Sequence, residues 1–153
     1  MAVYAAEGGG EGESSMRILA IDYGDARTGL AVSDATGTIA GETRVIRSRR
    51  MEQTAEAVAA AAAELGAEEL VVGLPRNMDG TEGPRAALCR DFAAHPADLT
   101  GLEPVLWDER RTTVDAHRIL SDNGRHGKRR KETVDAVAAT LILEGYLAYR
   151  RGR

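Results

Sequence analysis

Residues 17–33, RILAIDYGDARTGLAVS, contain the pattern that indicates how the fold begins. Residues 17–22 form a short apolar run with β-branched side chains, which is typical of a buried strand. Tyr23-Gly24-Asp25 supplies a turn, and a second strand follows at 28–33. The turn sequence DATG then leads to a third strand at 38–46. Three strands joined by tight links predict an antiparallel meander.

Helices and strands alternate after the meander. We predict an alanine-rich helix at 51–65 with Gly66 as its C-cap, a strand at 69–74, a helix from Pro84 to about residue 94, a strand at 103–107, a helix from Thr112 to about residue 120, and a last helix from about residue 132 to residue 150. The order βββαβαβαα predicts an α/β fold. Its five-stranded mixed sheet has three antiparallel strands, then two parallel ones, with helices on both faces.

Length and composition set the class of protein. The 153 residues, 43% of them hydrophobic, predict one domain at 16–153 behind a disordered glycine- and serine-rich tail at 1–15. The single cysteine, Cys89, excludes an internal disulfide and any cysteine-based metal cluster. No apolar run approaches the roughly 18 residues of a membrane span, and the first residues do not resemble a signal peptide. We therefore expect a cytoplasmic protein.

The formal net charge of −4 hides an asymmetry along the chain. Residues 1–109 carry 9 basic and 19 acidic side chains, whereas residues 110–153 carry 11 basic and 5 acidic ones. A basic end on an acidic chain is a candidate surface for binding phosphate groups. The alternative is an arginine-rich helix end that only faces solvent.

Three carboxylates occupy positions where they could converge. Asp22 ends a strand that should be central, and Glu109 takes the equivalent place after the strand VLWD. We expect these strands to be neighbours, so that both acids meet in the crevice where open sheets bind ligands. Asp135 lies in an otherwise apolar helical stretch, TVDAVAA, with small residues one turn later.

Oxygen ligands without a histidine or cysteine cluster favour a hard cation, Mg²⁺ or Mn²⁺. Such ions activate water and stabilise the leaving oxygen in phosphodiester hydrolysis. Each acid also has a simpler interpretation. Asp22 could cap its turn, Glu109 could pair with Arg110, Arg111 or another exposed arginine, and Asp135 could be an ordinary acid near a helix N-terminus.

Four blocks of the sequence resemble the YqgF/RuvX family of the RNase H-like superfamily. They are IDYGDARTGLAVSD at 21–34, GLPRNMDGTEG at 73–83, DERRTT at 108–113 and KRRKETVDAVAA at 128–139. The family is described as pre-16S rRNA nucleases and as Holliday junction resolvase-like proteins. By this resemblance, Asp22, Glu109 and Asp135 fall on the family's acidic catalytic positions and Arg27 on its basic residue. Asp25 departs from the pattern, because a neutral or basic residue is more usual there.

Further residues are candidates for contact with nucleic acid. Asn77 lies in the loop at 75–83, Arg110 follows Glu109, and a basic run precedes the predicted last helix at Lys128, Arg129, Arg130 and Lys131. Each also fits a plain solvated loop. The residues predict a metal-dependent endonuclease that binds nucleic acid, in a monomeric or homodimeric state. The family resemblance implies action at the 5′ end of pre-16S rRNA, with ribosomal particles as partners.

Other functions stay open at the level of sequence. A resolvase-like DNA endonuclease would use the same acids and would favour a two-fold dimer, since paired cuts need two sites. A nucleic-acid-binding module of the same fold would need no turnover. The segment DYGDARTG also resembles the first phosphate motif of the actin and sugar-kinase superfamily. Those enzymes enclose ATP between two such domains, and this chain has room for one.

Overall fold

The computed structural model describes residues 16–37, 40–111 and 127–152, with side chains from 136 onward in the last of these segments. The predicted tail at 1–15 and the predicted helix that begins at Thr112 lie outside the described residues. The described part contains the predicted α/β architecture.

Five strands form one mixed sheet with the order β3-β2-β1-β4-β5. The strands are β1 (Ile18–Asp22), β2 (Arg27–Ser33), β3 (Ala40–Arg47), β4 (Glu69–Leu74) and β5 (Val105–Asp108). The first three pair antiparallel, which confirms the meander, while β4 and β5 run parallel to β1. The carboxyl ends of β1, β4 and β5 therefore share one edge of the sheet, which we call the carboxyl edge.

Helices cover both faces of this sheet. Helices α1 (Met51–Leu65) and α2 (Pro84–Thr100) lie on one face, where Val58 and Phe92 pack with alternate residues of the central strands. Helix α3 (Gly127–Arg151) lies on the other face, where Ile142 and Leu143 pack against the intervening residues. Because β1 and β4 are buried on both faces, they are continuous apolar runs rather than alternating ones.

Helix α1 has the predicted bounds, and Gly66 caps it with a left-handed φ of 71°. Helix α2 is longer than predicted and continues through Pro96 to Thr100, so the predicted end near residue 94 is wrong. The buried positions Ala86, Cys89, Phe92 and Pro96 keep the spacing of one helical face, so the proline ring joins the core instead of ending the helix.

The start of α3 also differs from the prediction. The helix begins at Gly127 instead of about residue 132, so the basic run 128–131 is helical and does not form a loop before the helix. Lysine and arginine favour helix, and no proline interrupts the segment, which accounts for the earlier start. No helix in the described segments is long and apolar enough to cross a membrane.

Candidate active site

Asp22 ends β1 at the carboxyl edge, as predicted. Its Cα pairs with that of Gly29 across the meander. The turn that follows depends on Gly24, since a Cβ there would collide with the carbonyl oxygen of Arg27. The buried hydroxyl of Thr28 accepts a hydrogen bond of 3.2 Å from the Gly24 N–H. This turn fixes the backbone on which the half-buried Asp22 is placed.

Glu109 follows β5 directly, in a short 3-10 turn (Glu109–Arg111), and reaches back over β4. The prediction that β1 and β5 are neighbouring strands is wrong, because β4 lies between them. Both acids nevertheless lie at the carboxyl edge. Ile21 pairs with Val72, so Asp22 and Gly73 follow at the same level of the sheet, and the Glu109 side chain reaches over Gly73. A Cβ at Gly73 would collide with the Glu109 carboxylate on one side and lie 2.6 Å from Ile142 Cδ1 on the other. Glycine therefore leaves the space that the carboxylate occupies.

Both carboxylates act electrostatically on the same buried thiol. Burial raises the pKa of Cys89 to about 11, and the negative charges of Glu109 and Asp22 add to that rise. Burial also raises the pKa of Glu109, whereas the positive charge of Arg85 lowers it. Cys89 is thus a protonated core residue at neutral pH, and the half-buried Asp22 and Glu109 both lie within electrostatic range of its thiol.

Helix α3 runs antiparallel to β4 and points its beginning towards this edge. The Tyr146 hydroxyl donates a hydrogen bond of 2.6 Å to Glu69, the first residue of β4, while Ile142 lies beside Gly73 near the end of that strand. Position 135 comes seven residues before Ile142 and four before the buried Ala139, so it occupies the same stripe of the helix. Its side chain lies outside the described residues, and its place in the site stays a prediction.

Arg85, in the first turn of α2, is a residue of this site that sequence reasoning missed. Its guanidinium donates hydrogen bonds to Asp25 Oδ1 at 2.7 Å and to the Tyr23 carbonyl at 2.6 Å. It also lies 5.3 Å from the centre of the Tyr23 ring, which stacks on Phe92. Asp25, the departure from the family pattern, therefore holds Arg85 beside the turn that follows Asp22. Only a contact across 60 residues of sequence reveals this pairing.

The loop between β4 and α2 is held by its own hydrogen bonds. The Asn77 N–H donates to the Thr81 carbonyl at 2.8 Å, and the Asn77 amide donates to the Thr81 hydroxyl at 2.9 Å. Asp79 accepts from the Thr81 N–H, and Gly80 adopts a left-handed φ of 91°. The described contacts of Asn77 thus shape the loop, and its predicted contact with phosphate stays a prediction.

Two arginines after Glu109 have structural contacts. Arg110 binds Asp108 with a shortest distance of 2.7 Å and donates to the Met78 carbonyl at 3.3 Å, which ties β5 to the loop before α2. Arg111 lies over two neighbouring aromatic rings, 4.4 Å from the centre of Trp107 and 4.5 Å from that of Tyr149. Neither forms an ion pair with Glu109 within the described part of the chain, so the simpler interpretation of this acid is not met by Arg110 or Arg111.

The other predicted nucleic-acid contacts are only partly located. Arg27 begins β2 at the carboxyl edge, where its Cα pairs with that of Arg47. Lys128, Arg129, Arg130 and Lys131 lie in the first turns of α3, and their side chains are outside the described residues. Gly73 was also missed as a site residue, and its only signal in the sequence is a glycine inside the strand ELVVGL.

The donor set at this edge fits a hard cation. Asp22 and Glu109 offer oxygen ligands, and the missing Cβ of Gly73 leaves room for the second carboxylate over the sheet. Among the side chains that the structure describes, which exclude Asp135, no group of three acidic, histidine or cysteine residues could hold a metal ion. A third ligand would have to come from the beginning of α3 or from a substrate.

Comparisons with known proteins agree with the resemblance seen in the sequence. A model of the RuvX family, described as Holliday junction resolvase, matches residues 16–149. A relative from Carboxydothermus hydrogenoformans is 41% identical over 135 residues, which cover 88% of this chain and 98% of the relative. One from Moorella thermoacetica is 44% identical and covers 86% and 94%. Both are named "Putative pre-16S rRNA nuclease".

Among solved structures, the fold is similar to that of Thermus thermophilus RuvC. The structure of RuvC in complex with a Holliday junction substrate has a TM-score of 0.61 and 14% sequence identity, and the match covers 90% of this chain and 96% of that one. A second RuvC structure has a TM-score of 0.55 at 14% identity. At this identity the likeness establishes the RNase H-like fold.

Proposed function

This chain belongs to the RuvX family, and from that premise we propose that it is a metal-dependent endonuclease that processes the 5′ end of pre-16S rRNA. Its family and its relatives make it a hydrolase of phosphodiester bonds, and its fold is RNase H-like. The observation that carries the proposal is the position of the two acids at the carboxyl edge: Asp22 ends β1, and the Glu109 carboxylate lies over Gly73 at the end of the neighbouring strand β4. We assign the nuclease domain to residues 16–153.

Asp22, Glu109 and Asp135 are the residues that would hold one or two Mg²⁺ or Mn²⁺ ions. When bound, such an ion would offset negative charge on the phosphoryl oxygens and make a water molecule more acidic. Glu109 is suited to a cation because burial already disfavours its lone negative charge. Asp22 is suited because its backbone is fixed by the Gly24 turn.

The remaining residues of the edge orient the substrate and the acids. Arg85 places a positive charge near Glu109 and beside the turn after Asp22, and Asp25 holds it there. The Arg110–Asp108 pair and the loop hydrogen bonds keep β5 in register with the loop before α2. Arg27 and the basic first turns of α3 would bind backbone phosphates on either side of the reacting group.

The preference for RNA rests on the relatives, whose name specifies pre-16S rRNA. We accordingly expect action in the cytoplasm, on ribosomal precursors or particles. The family description favours a second candidate, the Holliday junction. A junction resolvase would act as a homodimer because paired cuts need two sites, whereas RNA processing needs one.

A cleavage panel tests the proposal. The substrates are a 5′-extended 16S precursor RNA, an unrelated RNA duplex and a four-way DNA junction, each in Mg²⁺ and in Mn²⁺. We expect the precursor RNA to be cut fastest, and the Asp22→Asn variant to cut it at least about 10²–10³-fold more slowly. An unchanged melting temperature would show that the variant is folded.

Each other outcome has a definite meaning. Full activity of Asp22→Asn would refute the assigned site. Preferred cutting of the four-way junction would replace the RNA proposal with the resolvase. Binding without cleavage in every lane, in both metals, would make the chain a nucleic-acid-binding module.

A further inference from the structure

A group of arginines lies at the carboxyl edge on the side away from β4 and β5. Residues 43–51 read TRVIRSRRM and contain four arginines and no acidic residue. Three of these, Arg47, Arg49 and Arg50, are exposed, and we call them the β3 arginine patch. Residues 1–109 carry only nine basic side chains against 19 acidic ones. A basic cluster in so acidic a region is not explained by composition.

The sheet register places the patch close to the active site. Asp22 pairs with Gly29, and Gly29 pairs with Val45, so the three lie across the sheet at one level. Arg47 comes two residues beyond Val45, on the side where the strand leaves the sheet. Arg47 is displaced from Asp22 by two strand spacings across the sheet and by two residues along β3. These displacements place its backbone roughly 12 Å from that of Asp22. Successive nucleotides of a nucleic-acid strand are about 3.4 Å apart along the helix axis, so this distance corresponds to roughly three to four nucleotides.

Local hydrogen bonds hold the patch in a defined shape. The Ser48 N–H donates to the Ala26 carbonyl at 3.1 Å and extends the contact between β2 and β3 by one bond. The Arg50 N–H donates to the Ser48 hydroxyl at 3.2 Å, which turns the chain into α1. The arginines therefore project from a fixed turn and not from a loose segment.

Arg49 and Arg50 differ from the other arginines near the carboxyl edge. Arg76, Arg85 and Arg110 each form an ion pair with a nearby acid. Arg49 and Arg50 form no ion pair with any residue in the described segments. Exposed guanidinium groups without a carboxylate partner are suited to bind phosphate, whose oxygens match their fork of donors.

A groove continues from the patch along the outer strand. It has a volume of about 560 Å³, and its described lining consists of Thr43, Arg44, Val45 and Arg47. β3 is an edge strand, so this groove is open along its length. Its open shape and its arginine lining fit a sugar-phosphate backbone better than a compact apolar ligand.

We propose that the β3 arginine patch binds the backbone of the substrate strand three to four nucleotides from the bond that is cut. This inference rests on the proposed nuclease function, because it takes Asp22 as the site of cleavage. It adds a second anchoring surface on the side of the sheet opposite β5, made by residues with no part in the reaction. The patch would increase affinity for nucleic acid without changing the chemical step.

The experiment compares two double variants that remove the same amount of charge. Arg49→Gln with Arg50→Gln removes the patch, whereas Arg90→Gln with Arg150→Gln removes two arginines that lie outside the groove and are already paired with glutamates. Binding of a fluorescein-labelled 20-base-pair RNA duplex is measured by anisotropy in EDTA at several salt concentrations. In EDTA no metal-dependent cleavage occurs, so the result does not depend on whether the chain is a nuclease.

We expect the patch variant to bind about 10-fold to 100-fold more weakly at low salt. The slope of log Kd against log salt concentration should fall by about 0.7–0.9 for each phosphate that the variant no longer neutralises. The control variant should stay within about twofold of the wild type, with the same slope. Equal behaviour of the two double variants, or a wild type without salt-dependent binding, would overturn the proposal.

A cleavage measurement in Mn²⁺ then separates the two proposals. At saturating protein concentration the patch variant should cut precursor RNA at the wild-type rate, because its arginines do not touch the reacting phosphate. A lower rate at saturation would contradict a role in binding alone. Failure of the wild type to cut any RNA would refute the nuclease and leave the binding result standing.

Discussion

The two sides of the carboxyl edge use their arginines in different ways. On the side of β4 and β5, Arg85 and Arg110 are held by Asp25 and Asp108, and they fix the turns around the proposed catalytic acids, Asp22 and Glu109. On the side of β3, Arg49 and Arg50 have no acidic partner in the described structure. A paired charge therefore shapes the site, whereas an unpaired one is available to the substrate.

The same distinction separates two neighbouring acids. Asp108 accepts hydrogen bonds from Arg110, which lower its pKa. The next residue, Glu109, takes part in none of the described ion pairs, and burial raises its pKa. One acid of the pair therefore stabilises the fold, and the other carries a costly charge that a bound cation would offset.

The largest expected effect comes from filling the space beside Glu109. Gly73→Ala places a Cβ against the Glu109 carboxylate and Ile142, so the acid must move. A displacement of about 1 Å in a catalytic group can lower the rate by roughly 10². Because the clashing atoms are the ends of flexible side chains, the cost in the free energy of unfolding should lie at the low end for overpacking, about 1 kcal/mol. Single-turnover cleavage and urea unfolding measure the two effects.

Gly83→Ala is the matched control, because the nearest atom to its new Cβ, Asn77 Nδ2, is 4.0 Å away and its φ is −103°. It should cut at close to the wild-type rate. Wild-type activity in Gly73→Ala would show that the position of Glu109 over β4 has no part in cleavage.

A smaller effect is expected from removing the guanidinium of Arg85, which is paired with Asp25. Arg85→Gln removes a positive charge that lowers the pKa of Glu109. The carboxylate form then needs a higher pH, so the acidic limb of the kcat/KM profile should move to higher pH. Activity at the acid end of the profile should fall about tenfold for each pH unit by which the limb moves.

Asp25→Asn provides the control for that shift, since it releases Arg85 without removing its charge. Its acidic limb should stay near that of the wild type. If both variants move the profile equally, the effect comes from loosening the turn and not from the charge of Arg85.

The smallest expected effects are on the stability of the metal-free protein, which Glu109→Gln and Asp108→Asn should change in opposite directions. Because the folded pKa of Glu109 is raised, its stabilising contribution is complete below about pH 4.5 and is lost as the pH rises. Glu109→Gln should therefore raise the melting temperature at pH 7 and leave it unchanged near pH 4. Because the folded pKa of Asp108 is lowered, its contribution is present at neutral pH and is lost in acid.

Asp108→Asn should accordingly lower stability at pH 7 by no more than about 1 kcal/mol, the range of exposed ion pairs. Both predictions are tested by measuring the thermal unfolding of the two variants in EDTA from pH 3 to pH 8. A decrease in the stability of Glu109→Gln at pH 7 would contradict the view that this acid is the unpaired one.

Local patterns in the sequence predict most of the framework. The apolar runs predict β1 and β4, and the alanine-rich stretch before Gly66 predicts α1 with its bounds. They also place Asp22 and Glu109 at one edge. The insertion of β4 between their strands was not predicted, because strand order depends on pairing between distant segments. The extent of α2 was also missed, since a proline can join a helix when its ring packs in the core.

The supporting contacts of the site were beyond sequence reasoning for the same reason. The Arg85–Asp25 pair joins a helix to a turn 60 residues earlier, and the use of Gly73 depends on a glutamate that follows the next strand. Sequence spacing identifies which acids could act. Only the packing shows which charges are already paired.

The most direct test of the catalytic assignment is single-turnover cleavage of 5′-extended 16S precursor RNA in Mn²⁺ by four single variants. We expect Asp22→Asn, Glu109→Gln and Asp135→Asn each to cut at least about 10²-fold more slowly than the wild type. Asp108→Asn, which changes the acid beside Glu109, should keep activity within about tenfold of the wild type. Comparable decreases in all four variants, or full activity in any of the first three, would contradict the assignment of these three acids as the catalytic set.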